Sequence, residues 1–98
     1  AERQARQAAL SPAMRTVDAF EQEMRAAHDL SHGNKQNPNG VLHGKARKLA
    51  QTAHESADWS AEEKRAAAEA IETWLPKLVK VDIKDERKKL KLGVLKGQ

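Results

Sequence analysis

The chain contains no cysteine. Disulfide frameworks, thiolate zinc sites and cysteine nucleophiles are excluded together. Nothing points to an oxidising compartment either, so the expected location is cytoplasmic. Aromatic residues are scarce: Phe20, Trp59 and Trp74 are the only three. Sheet proteins lean on aromatic and β-branched side chains for packing, and this chain has few of either. No apolar run approaches the roughly 20 residues that span a bilayer, and no membrane partner is expected.

Several chemical motifs are missing as well. There is no Walker-type glycine loop, no dinucleotide fingerprint and no HExxH pair. Ser31, Ser56 and Thr52 have histidines near them in sequence, but neither they nor Thr16 sit in a nucleophile motif with a base and an orienting group. His28 and His32 are four apart, a spacing that can place two imidazoles on one helix face. Gly33 and Asn34 follow at once and indicate that the helix is already ending there. Solvent-exposed or capping histidines are the simpler reading. A non-enzymatic protein with no metal and no cofactor is expected.

What the chain does have is alanine, charge and helical periodicity. Its 98 residues suit one domain, and a domain of this size buries only about 60–70% of its unfolded surface. Alanine favours helix while contributing little burial, so the core should be modest. Ser11-Pro12 reads as a helix start, since serine caps and proline is tolerated in the first turn. Met14, Val17, Phe20, Met24 and Ala27 then recur at steps of three and four, the amphipathic signature of a helix over 12–29. Residues 1–10 are helix-compatible without a dominant apolar face.

The stretch 31–40, SHGNKQNPNG, reads as an exposed loop because glycine, proline and asparagine supply turns. A second helix is expected over about 41–57, with Leu42, Ala46, Leu49, Ala50 and Ala53 on one face. Ser60-Ala61-Glu62-Glu63 is a capping box that opens a third. Its face continues through Ala67, Ile71, Trp74, Leu75 and Leu78, and Pro76 must kink or end it. Trp74 is expected as the principal core filler and Trp59 as a packing residue just before the cap. The expected core is Met14, Val17, Phe20, Met24, Leu42, Leu49, Ala53, Ile71, Trp74 and Leu78.

The end of the chain reads two ways. Leu90, Leu92 and Val94 alternate with Lys89, Lys91 and Gly93 as in a short strand, whereas Ile83, Arg87, Leu90 and Val94 would share one helical side. Helix or disorder is favoured over strand. The expected architecture is therefore all-α: a small bundle of three or four helices over 1–78, with a basic, partly helical or extended C-terminal segment over 79–98.

Charge gives the functional signal. Residues 75–98 carry eight basic and three acidic side chains, whereas residues 1–74 have a net charge of −1. A cationic end on a near-neutral body points to an anionic partner. Two basic clusters stand out: Lys45, Arg47 and Lys48 in the second helix, and Lys84, Arg87, Lys88, Lys89 and Lys91 in the C-terminal segment. If that segment lies across the bundle, the clusters would merge into a stripe that tracks a phosphate backbone. Lysine dominates there and no aromatic is interleaved, which argues for phosphate contact without base readout.

The expected function is non-enzymatic binding of DNA or RNA by these eight residues, in a subunit or terminal domain of a larger nucleoprotein assembly. The alternative is a protein–protein interaction module whose Ile83–Leu95 segment docks on an acidic or larger partner protein, ordering as it binds. A projecting segment with exposed apolar side chains would favour the alternative.

Overall fold

A computed structural model describes residues 10–97; residues 1–9, most of the helix-compatible segment that opens the chain, lie outside the described residues. Helix α1 spans Pro12–Ser31, α2 Val41–Glu55, α3 Ala61–Leu78, α4 Ile83–Lys89 and α5 Leu92–Leu95. There is no strand among the described residues, and the fold class is all-α. No described helix is long and apolar enough to cross a membrane.

Each of the three long helices starts where its sequence supplies a cap or a turn. Ser11 caps α1, its Oγ accepting from the Met14 amide at 3.2 Å, and Pro12 takes the first position, where no amide donor is needed. At α3 the capping box is complete. Ser60 Oγ accepts from the Glu63 amide at 3.2 Å, and the Glu63 carboxylate accepts from the Ser60 amide at 2.8 Å. Ser11 Oγ also donates to Glu63, so one carboxylate joins the starts of α1 and α3. At α2 the cap is Gly40, where a Cβ would lie 2.7 Å from Gln36 Oε1 and 3.3 Å from the Asn37 carbonyl oxygen. A larger residue there would have to displace the end of the Gln36 side chain and press on the Asn37 carbonyl.

The helices also end for identifiable reasons. α1 closes at His32, which adopts the left-handed conformation at φ 53° and ψ 35°, followed by Gly33 at φ 82°. Pro76 lies inside α3 without breaking it, and the helix stops two residues later at Leu78. The orphan Leu78 carbonyl accepts from the Gln36 amide at 2.8 Å, and Gln36 in turn accepts from the Lys80 amide at 2.7 Å. The mostly exposed 32–40 loop is thereby pinned to the C-terminal end of α3.

α3 is the central element and packs against α1, α2, α4 and α5. The core holds Val17, Phe20 and Met24 from α1; Leu42, Ala46, Leu49, Ala50 and Ala53 from α2; and Ala67, Ala68, Ala70, Ile71, Leu75 and Leu78 from α3. Val79, Leu92 and Leu95 complete it. The C-terminal segment is helical in two short pieces that share this core, and Leu90, Leu92 and Val94 form no strand. Two expected core residues differ. Met14 is only half-buried, and Trp74 packs half-buried at the margin of the core rather than filling it.

Candidate nucleic-acid interface

The geometry of the basic surface follows from how the C-terminal segment meets α2. α4 begins at Asp82, whose carboxylate accepts from the Lys84 amide at 2.9 Å. Arg87, Lys88 and Lys89 fill its last turn, where helix polarity favours cations. Leu90 closes α4, and Lys91 turns the chain into α5 with a left-handed backbone at φ 53° and ψ 45°. Leu92 and Leu95 then face the core. From α2, His54 Nε2 donates to the Leu90 carbonyl at 2.8 Å, fastening the α4–α5 junction to the end of α2.

That junction brings part of the two basic clusters together. A shallow groove of about 150 Å³ is lined by Arg47, Ala50, Gln51 and His54 of α2 and by Lys89, Leu90 and Lys91. None of these seven residues is acidic. Lys91 also lines a more open depression of about 390 Å³ with Arg87, Lys88, Gly93 and Val94. Arg47, Lys88, Lys89 and Lys91 are exposed, and none of them forms an ion pair with a described residue.

The remaining residues of the expected set lie elsewhere. Lys45 Nζ is 2.6 Å from Glu23 on α1, and Lys45 and Lys48 line a separate cleft between α1 and α2 with Phe20 and Leu49. Lys84 lies near the start of α4 and lines neither basic depression. Arg87 is held back by Glu72 of α3, which also binds Lys96. Burial raises the Glu72 pKa, but hydrogen bonds and charge from Lys96 and Arg87 outweigh it and hold the carboxyl below its ordinary range.

Two polar side chains near this surface, His43 and Glu86, carry no motif in the sequence that singles them out. His43, the third residue of α2, is buried, and its Nε2 donates to the buried Glu86 carboxylate at 3.0 Å. Its Nδ1 is buried without a partner. Glu86 stands among lysines in sequence and looks like part of a solvated face; only its position three residues after Ile83 hints that it turns inward. His28 and His32 do not share a face. His28 packs edge-on to Trp74 at 6.3 Å, whereas His32 is exposed in the turn that ends α1. Among the described residues, no group of three or more histidine or carboxylate side chains is arranged to hold a metal.

No protein-family model matches the chain, and no curated protein and no solved structure matches it either.

Proposed function

We propose that the protein binds nucleic acid without catalysis, seating backbone phosphates along the α2/α4–α5 surface. The observation that supports this most is the groove in which Arg47 meets Lys89 and Lys91 with no acid among its walls. Residues from two clusters far apart in sequence converge there. A phosphate placed in it meets three unpaired cations, with Gln51 and His54 beside them. Arg87 and Lys88 extend the cationic lining through the shared Lys91. Lys45 is the weakest member of the set, because its charge is already matched by Glu23. The groove is shallow and suits phosphate rather than base edges, in keeping with a small subunit or terminal domain of a nucleoprotein assembly acting in the cytoplasm.

The alternative, docking of the Ile83–Leu95 segment on a partner protein, is supported by Val94, which is 62% exposed beside Arg87, Lys88 and Lys91. Against it, Leu92 and Leu95 are buried in the protein's own core, which leaves little apolar surface on the segment for a partner.

Binding of labelled duplex DNA, single-stranded DNA and RNA at several salt concentrations tests the proposal. Affinity should fall linearly in log–log form. Replacing Arg47, Lys89 and Lys91 by alanine should reduce the slope by about 0.7–0.9 for each phosphate no longer neutralised. Lys45→Ala should change it little. Undetectable binding at low salt overturns the reading.

A further inference from the structure

We infer that Trp74, Arg25 and Lys77 form a second contact, specific for single-stranded nucleic acid, in which an unpaired base stacks on the indole and the two cations take the flanking phosphates. The inference rests on the reading that the chain binds nucleic acid, and it concerns a different face. Trp74 and Lys77 lie three apart on α3, and Arg25 and His28 lie three apart on the neighbouring α1, so each pair shares a helix side. Lys77 Nζ is 5.0 Å from the centroid of the Trp74 ring and Arg25 Cζ is 5.7 Å from it. The His28 ring stands edge-on at 69° to the indole. Two residues along α3 from Trp74, Glu72 binds Arg87 and Lys96. A step of two residues turns about 200° around a helix, so the indole faces away from the C-terminal segment and its groove.

Three features make this cluster more than an edge of the core. The indole is half-buried, so it is fixed in place by packing while part of its surface stays within reach. Arg25 and Lys77 keep their charges accessible, and neither forms an ion pair with a described carboxylate. Two like charges are thus gathered at one ring without a contact ion-pair partner among the described residues, an arrangement that a phosphate would relieve. Finally, a base–indole stack is stronger than a cation–π contact at an exposed site. A base arriving at the ring displaces a cation from it, and that cation is then free for the adjoining phosphate. A duplex cannot exploit this, because its bases are already stacked and paired.

The test uses the full chain with Trp59→Phe, so that fluorescence reports Trp74 alone. It is titrated with a short oligothymidylate, a matched DNA duplex and a base-free polyphosphate, while the anisotropy of labelled oligonucleotide follows binding independently. The inference predicts that the oligothymidylate quenches Trp74 strongly and that the duplex and polyphosphate do so weakly. Arg25→Ala/Lys77→Ala, with the fold verified intact by circular dichroism, should weaken single-strand binding about tenfold and duplex binding much less. Lys89→Ala/Lys91→Ala should weaken both ligands yet leave the quench at saturation unchanged. Oligonucleotide that binds by anisotropy without quenching Trp74, and with unchanged affinity for Trp74→Leu, overturns the inference while the nucleic-acid reading stands. Equal quenching by polyphosphate overturns base stacking. Absence of any binding at low salt removes both.

Discussion

His43 Nε2 lies 3.0 Å from a Glu86 carboxylate oxygen, and both residues are more than nine-tenths buried. This pair joins the first turn of α2 to the middle of α4, two elements otherwise linked through α3 and the His54–Leu90 bond. Removing one partner leaves the other buried and unsatisfied, which is costlier than removing both. Glu86→Ala should destabilise the protein by about 3 kcal/mol, whereas His43→Leu/Glu86→Leu should come within about 1 kcal/mol of the parent. Urea unfolding of the three proteins checks this. A double variant no more stable than Glu86→Ala would show that shape at this point, and not the stranded polar group, sets the cost.

Glu72 makes a pH prediction. Its carboxylate holds Arg87 of α4 and Lys96 just beyond α5, and its pKa in the folded protein lies below its ordinary value of 4.5. A depressed carboxyl pKa contributes stability that is fully present above the unfolded value and is lost as pH falls through the folded one. The parent should therefore exceed Glu72→Gln in stability by a constant margin above about pH 5.5, and the margin should shrink steadily below about pH 4.5. Glu63 is lowered as well, first through its hydrogen bond from Ser11. Both proteins share that dependence, so it cancels in the difference. A margin independent of pH would mean that Glu72 acts through packing alone.

Local signals make the long helices legible and miss the way the end of the chain returns to them. Ser11-Pro12 and Ser60 with Glu63 are chemical marks that act within one helical turn, and each appears in the structure where the sequence places it. The α4–α5 junction carries no such mark. The chain reverses at Lys91, in a conformation usually left to glycine or asparagine, so periodicity alone leaves more than one reading of 83–95 open. Of the two basic clusters, the structure brings Arg47 to Lys89 and Lys91 and leaves Lys45, Lys48 and Lys84 apart, a sorting that depends on that unmarked turn.

Trp74 shows where periodicity misleads. It falls near the apolar side of α3, but the buried positions of that side are Ala67, Ala68, Ala70, Ile71, Leu75 and Leu78, and the indole packs half-buried against their margin. Ile71, fully buried, takes the central position. Ile71→Ala should cost about 2–5 kcal/mol, and Trp74→Ala distinctly less despite removing a larger side chain. Denaturant midpoints of the two variants decide it. A larger loss at Trp74 would mean that the indole carries the core after all.

Lys91 separates stability from binding in a single residue. A lysine at φ 53° is strained, because its Cβ crowds the following carbonyl, and glycine is not. Lys91→Gly removes that strain and also loosens the unfolded chain, so the net gain should be about 0.5–1 kcal/mol. The same change takes away the only cation that lines both basic depressions. The variant should thus melt higher than the parent while binding nucleic acid more weakly and with a shallower salt dependence, by about 0.7–0.9 in slope. Such opposition is expected where a strained backbone is retained for the side chain it presents. If Lys91→Gly is stabilised and binds as tightly as the parent, Lys91 touches no phosphate, and the strain at the α4–α5 turn has a purely structural origin.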